Sequence, residues 1–260
     1  MLTAEDHARL AASGIVRLPG AVDRATTDAM AAQVWESLAE REIDRADPGT
    51  WPEGYIGKHQ SLRRRRVFDA FATPAVAALV DVLLGAGRWN EAGRWGPALV
   101  TFPESGPWTV PHSGWHVDVP AKGDPDRPTV ARLFGYVSDV VPQGGGTVVV
   151  EGSHEVVRRL VEAAPDHDAG GSVSIRRRLL SLSPWFRALD REGAGDRVRQ
   201  FMLDGDEVDG VRVRVAELTG EAGDVVVMLP WTLHSLAKNC SPTPRFMVTH
   251  SIYAAPTATT

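Results

Sequence analysis

Apolar positions in the first third of the chain recur at helical spacing. Thr3 and Asp6 make the pattern of a capping box, and "AEDHARLAASG" then predicts a short helix closed by Gly14. "GIVRLPG" predicts a brief strand bounded by glycines. From Asp23, "RATTDAMAAQVWESLAERE" puts Ala31, Val34, Trp35 and Leu38 on one face of a long amphipathic helix. Residues 43–66 are polar and predict irregular structure. Thr73 and Pro74 open a further helix through "AVAALVDVLL", because proline in a first helical turn leaves no N–H unpaired.

From Trp95 onward the period changes. Short β-branched runs, "GPALVTF", "WHVDV", "TVARLFGYVSDVV", "GTVVVEG", "VRVRVAELT", "DVVVMLP" and "RFMVTHSIYA", alternate with Gly and Pro, as in a sandwich or closed jelly roll. Residues 154–208 interrupt this rhythm with the helical stretches "HEVVRRLVEAA" and "IRRRLLSLSPWFRAL". The expectation is one domain over 1–260, mainly β with flanking helices: 1–94 mostly helical, 95–254 a jelly-roll core, and 154–208 a helical insertion that covers the mouth with Trp185 and Phe186.

Composition narrows the partners. The chain has 260 residues, 43% hydrophobic and 23% charged, enough for one sizeable core. Twenty-eight Lys plus Arg against 33 Asp plus Glu leave a net charge of -5, so no overall positive field favours nucleic acid. The single cysteine, Cys240, excludes an internal disulfide and a thiolate metal cluster, which fits a reducing compartment. The start, "MLTAEDHARLAASG", is acidic where a secretory signal is basic and then apolar, and no run approaches the roughly 18 apolar residues of a membrane span. A cytoplasmic protein with neither membrane nor nucleic-acid partner is expected, its oligomeric state open.

The candidate chemistry begins at "SGWHVDVP". On a strand, His116 and Asp118 share one face with α-carbons about 6.6 Å apart and can converge on one ion. A third ligand has to come from elsewhere, and His234 in "GDVVVMLPWTLHSLAKN" is the best candidate. Two histidines and a carboxylate on one face of an octahedron are the arrangement of non-haem Fe(II) oxygenases. Magnesium and calcium prefer oxygen alone. Arg245, eleven residues after His234, stays charged when buried and suits the far end of a dicarboxylate co-substrate.

The order H-x-D, then "GYVSDVVPQGGGTVVVEGSH", then "GDVVVMLPWTLHSLAKNCSPTPR", resembles the phytanoyl-CoA dioxygenase family of Fe(II)/2-oxoglutarate oxygenases. The resemblance runs from about residue 10 and thins out in the insertion. It implies a double-stranded β-helix of the cupin-like kind, with His116, Asp118 and His234 holding Fe(II) and Arg245 binding the distal carboxylate of 2-oxoglutarate. It further implies consumption of O2, release of succinate and carbon dioxide, and ascorbate as a candidate reductant. Phe134 falls where the family often has an aromatic beside 2-oxoglutarate, and Thr101 and Thr147 are candidate hydroxyl donors to its carboxylate. Asp118 argues against halogenation, since related halogenases lack this carboxylate. One departure is Val117, where the family often has Gln, so an amide near the co-substrate is missing.

Around this core of four residues the readings are plainer. His112, on the approach, and Trp115 and Trp231, beside ligand-bearing segments, are candidate substrate contacts. His154 is expected to pack at the turn after a strand, His250 to be a core residue, and His7, His59 and His167 to lie in polar surroundings. "RRRR" at 63–66 and "RRR" at 176–178 read as solvated faces, with capture of an anionic group as the alternative. The expected activity is hydroxylation, or another oxidation of an unactivated C–H bond, of a small metabolite or natural-product intermediate. The alternatives are an acyl-CoA hydroxylase of the same mechanism, a zinc hydrolase, or a non-catalytic ligand-binding barrel.

Overall fold

The computed structural model describes residues 3–57, 59–90, 93–124, 126–193 and 195–255. The chain opens with α1 (Ala4–Ser13), where Thr3 and Asp6 form the reciprocal capping box and Gly14, at φ 81°, turns the chain out. β1 (Ile15–Leu18), α2 (Arg24–Ala39), β2 (Gly54–Ile56), α3 (Gln60–Arg64) and α4 (Pro74–Leu84) follow, with Asp23 and Thr73 accepting hydrogen bonds at the N-termini of α2 and α4. Then come β3 (Ala98–Phe102), β4 (Ala121–Lys122), β5 (Val130–Tyr136), β6 (Thr147–Glu151), α5 (Ser153–Glu162), β7 (Asp168–Gly170), α6 (Ser172–Leu182), α7 (Pro184–Leu189), β8 (Asp206–Val208), β9 (Val211–Glu217), β10 (Val225–Met228), β11 (His234–Leu236) and β12 (Arg245–Tyr253).

The strands form a major sheet in the order β1-β10-β5-β12-β3-β2 and a minor sheet in the order β11-β6-β9-β8, every pairing antiparallel, the jelly-roll arrangement the sequence predicts. Alternation along each strand separates three cores. Ala131, Leu133, Val225, Val227, Phe246 and Val248 face outward from the major sheet onto Met30, Val34 and Leu38 of α2 and Val76, Leu79 and Val80 of α4. Their neighbours Phe134, Tyr136, Val226, Met228 and Met247 face inward and meet Val149 of the minor sheet. Val148, Val150, Val213 and Val215 face out from the minor sheet onto the inserted segment. A fully buried Val, Leu or Phe stabilises by about 1.5–3 kcal/mol, so the central strands β5, β10 and β12 of the major sheet are held by a packed layer on both faces. No helix among the described residues is long and apolar enough to cross a membrane.

Four expectations need correction. Residues 43–66 are not irregular throughout: β2 and α3 lie there, and β2 exists because β3 offers its edge, Tyr55 opposite Thr101. "WHVDV" is not a strand but a loop touching β11 through the isolated bridge His116–His234. "IRRRLLSLSPWFRAL" is two helices, because Pro184 lacks an N–H and forces Ser183 to φ −142°, ψ 137°. Trp185 and Phe186, expected over the mouth, are buried in the outer core behind the minor sheet, edge-on to each other and, for Trp185, to Phe201.

Candidate metal centre

His116 and His234 are set side by side by backbone bonds. The His116 N–H donates to the His234 carbonyl and the His234 N–H to that of His116, each at 3.0 Å, and the two imidazole centroids lie 4.2 Å apart. The approach to His116 requires Gly114, whose φ is 77° and where a Cβ would stand 2.9 Å from Ser235 Oγ. The "GSH" turn supports the other side. Gly152 is left-handed at φ 80°, with a Cβ there 2.2 Å from the Arg212 carbonyl, and Ser153 Oγ accepts from the Leu233 N–H at 2.8 Å, next to His234. Two residues beyond His116 on the same side, Asp118 brings Oδ1 to 3.7 Å from His116 Nε2 and Oδ2 to 3.5 Å from His234 Nε2. One candidate ligand atom from each of the three residues lies within 4.8 Å of the others.

The tautomer of each ring follows from its partner. His116 Nδ1 is 2.8 Å from the Gly114 carbonyl and His234 Nδ1 is 3.0 Å from that of Thr232. A carbonyl only accepts, so each Nδ1 carries the proton and each Nε2 lone pair faces Asp118. Burial pushes the His234 imidazole down to about 4, against the pull of Asp118, so the ring is neutral at pH 7. Two imidazole nitrogen donors and a carboxylate on one small region fit a borderline divalent ion.

Arg132, unforeseen in the sequence reading, meets Asp118. Its Nε lies 2.8 Å from Asp118 Oδ2, an ion pair whose N–H is not aligned on the oxygen, and Nη1 donates to Ser251 Oγ at 2.8 Å. Its signal was legible: Arg132 shares strand parity with Phe134 and Tyr136, the inward positions of an otherwise apolar run.

Deeper between the sheets, Arg245 is 1% exposed and stands opposite Thr101, to whose hydroxyl Nη2 donates. Nη1 leans along β12 to Met247 Sδ at 3.6 Å, Nε has no partner, and no carboxylate pairs with the guanidinium among the described residues. Burial lowers its pKa to about 10, so it remains charged. Tyr136 Oη and Thr249 Oγ1 are likewise buried without partners, and burial raises the Tyr136 pKa.

The remaining predicted residues are placed unevenly. Phe134 lies edge-on to His234 at 6.4 Å, and Thr147 shares the inward face of β6 with Val149. Trp115 and Trp231, expected at a substrate wall, are instead core residues behind the cluster, their indole N–H groups donating to the Pro111 and Pro120 carbonyls. Val117 points into the same core because parity turns it away from its two neighbours. His112 is exposed four residues before His116. His154 packs at its turn against the Ala11 carbonyl and His250 stacks on Trp95, whereas His59 is buried rather than in polar surroundings. A cleft of about 670 Å³, lined in part by Val119, Lys122, Asp166, Asp168 and Tyr253, opens at Asp118.

Fold and site together define a double-stranded β-helix with a two-histidine, one-carboxylate cluster between its sheets. The chain belongs to the phytanoyl-CoA dioxygenase (PhyH) family, whose family model matches residues 10–247, and with it to the Fe(II)/2-oxoglutarate-dependent enzymes. No curated protein matches the sequence. Among solved structures, SnoN, an epimerase in complex with Fe3+, alpha-ketoglutarate and nogalamycin RO, is similar with 20% identity and TM-score 0.52 over 98% of this chain and 86% of its own. SnoK, a non-haem alpha-ketoglutarate-dependent carbocyclase from nogalamycin biosynthesis, has 16% identity and TM-score 0.52 over 98% and 84%. HygX from Streptomyces hygroscopicus, with nickel and 2-oxoglutarate bound, has 14% identity and TM-score 0.52 over 99% and 93%. At these identities the likeness is one of fold.

Proposed function

We propose that this chain is an oxygenase that oxidises an unactivated C–H bond of a small natural-product intermediate, with His116, Asp118 and His234 as ligands of Fe(II) and Arg245 as the anchor of 2-oxoglutarate. The observation that carries the reading is the convergence of the three ligand atoms within 4.8 Å, with both histidines tautomerically set to offer Nε2. The donor set fits iron, and the orphaned guanidinium fits the co-substrate. A buried cation without a carboxylate partner is costly, and the far carboxylate of a keto-diacid removes that cost. A zinc hydrolase has no use for such a group, so Arg245 favours the oxygenase over that alternative.

When bound, iron with 2-oxoglutarate and O2 supplies an oxidant able to take hydrogen from carbon, with succinate and carbon dioxide as co-products. The chain's own residues bind, orient and exclude water. Arg245 and the Thr101 hydroxyl hold one end of the co-substrate, and Phe134 presents an apolar wall beside His234. Thr147, Thr249 and Tyr136 add inward hydroxyls on facing strands. The epimerase and carbocyclase among similar structures support a substrate from secondary metabolism and widen the outcomes to epimerisation and ring closure.

Anaerobic addition of Fe(II) and 2-oxoglutarate is expected to give a weak visible charge-transfer band, which neither a zinc hydrolase nor an inert barrel gives. Succinate release over a metabolite library then identifies substrates. A gain of one oxygen marks hydroxylation, loss of two hydrogens marks desaturation or ring closure, and an unchanged mass with altered stereochemistry marks epimerisation. His116→Ala is expected to abolish substrate-coupled succinate release, and full activity in that variant rejects the assignment.

A further inference from the structure

We infer that Arg132 is a positioning residue of the metal centre, restraining the Asp118 carboxylate in the orientation that meets the two imidazoles. The inference rests on the reading of His116, Asp118 and His234 as metal ligands. Asp118 has weak local support: it lies at a bend beyond a single β-bridge, where no strand ladder constrains the side chain. Its two oxygens are unequally placed. Oδ1 faces His116, while Oδ2 faces His234 and also stands 2.8 Å from Arg132 Nε. A cation fixed beside one oxygen resists rotation of the carboxylate and leaves the other free to turn toward a metal.

Arg132 is itself held by two further residues. Nη1 donates to Ser251 Oγ at 2.8 Å, Ser251 stands directly opposite on β12, and the guanidinium carbon lies 5.8 Å from the Phe134 ring centroid. Phe134 in turn packs edge-on to His234, so one aromatic ring supports both a ligand and the group that steadies another. Such partners of metal ligands commonly matter to metal affinity about as strongly as 10–100-fold.

Charge and orientation predict opposite signs here. Removing a cation beside a cation site by charge alone tightens metal binding, whereas removing an orienting group weakens it. Cobalt(II), which is visible and needs no turnover, is therefore the probe, titrated into the full chain in four forms. R132M is expected to weaken Co(II) binding about 10–100-fold and to alter the ligand-field spectrum. R132K, with the charge but not the planar fork, is expected to recover part of the loss. S251A, which frees the guanidinium without touching Asp118, is expected to weaken binding about fivefold, the scale of one hydrogen bond. R132M binding Co(II) as tightly as the wild type or more so, with an unchanged spectrum, overturns the inference. Should R132M fail to fold, wild-type affinity and spectrum in S251A overturn it equally. A wild-type chain that takes up no Co(II) overturns the metal-site reading beneath it, a distinguishable result.

Discussion

Arg245 concentrates the tension between stability and function in a single side chain. It is charged, 1% exposed and paired with a neutral hydroxyl and a thioether rather than a carboxylate. Replacing buried ion pairs with apolar groups of similar volume is often neutral or stabilising by roughly 1–4 kcal/mol, and an unpaired buried charge lacks even the Coulombic gain of a pair. Arg245→Met is therefore expected to raise the melting temperature of the ligand-free protein. In the proposed co-substrate role the same change removes charge-assisted hydrogen bonds worth about 1.5–3 kcal/mol each, so 2-oxoglutarate affinity is expected to fall at least tenfold. Calorimetric melting and equilibrium titration measure the two arms. A lower melting temperature with unchanged affinity removes the co-substrate role. At this scale order along the chain was enough to single out His116, Asp118 and His234, which the fold brings together, and Arg245, which it buries. It did not place Trp115 and Trp231, which pack in the core, because adjacency in sequence says nothing about which way an indole points.

At the scale of elements, the loop that carries His116 and Asp118 is held from behind by side chains bonded to its backbone. Trp115 reaches the Pro111 carbonyl, Trp231 the Pro120 carbonyl, and Ser172, first residue of α6, accepts from the Val117 N–H. Arg197 donates to the carbonyls of Val110 and Pro111 and to those of Ala188, Leu189 and Arg191, tying the end of α7 to the same loop. A loop that lacks a strand ladder obtains its rigidity this way, and the inserted segment is its scaffold. Trp231→Phe keeps an aromatic ring but loses the second ring of the indole and the bond to Pro120, two residues after Asp118. It is expected to lower stability by at least about 1 kcal/mol and to weaken Co(II) binding detectably. Denaturant unfolding and metal titration test this, and wild-type metal affinity in a destabilised variant shows that the brace serves only folding. The broken helix at Ser183–Pro184 was legible from proline chemistry alone; the edge strand β2 was not, since its partner is elsewhere in the chain.

For the whole molecule, acid sensitivity follows from histidines held neutral in the interior. Burial depresses His234 and His250 each to about 4 and also lowers His154. The unfolded chain takes up these protons near pH 6.5, before the folded one does, so the stability is present above that pH and is lost as pH falls toward 4. For His250 alone the loss at pH 4 is on the order of 3 kcal/mol. The melting temperature of the metal-free protein is expected to drop steadily from pH 6.5 to 4, and His250→Phe, which keeps a ring against Trp95, is expected to flatten part of that slope. An unchanged slope shows that other groups govern the acid limb.

Periodicity and order along the chain determined α1, α2 and α4, most of the strands, the jelly-roll class and the four residues of the candidate site. These are local patterns, or linear order that similar folds preserve. The tertiary structure decided what depends on which surfaces meet: the edge strand at β2, the His116–His234 bridge in place of a strand, the burial of Trp185 and Phe186 behind the minor sheet, and the approach of Arg132 to Asp118. The physical reason is that backbone pairing and side-chain parity become contacts only when two distant segments have been brought face to face.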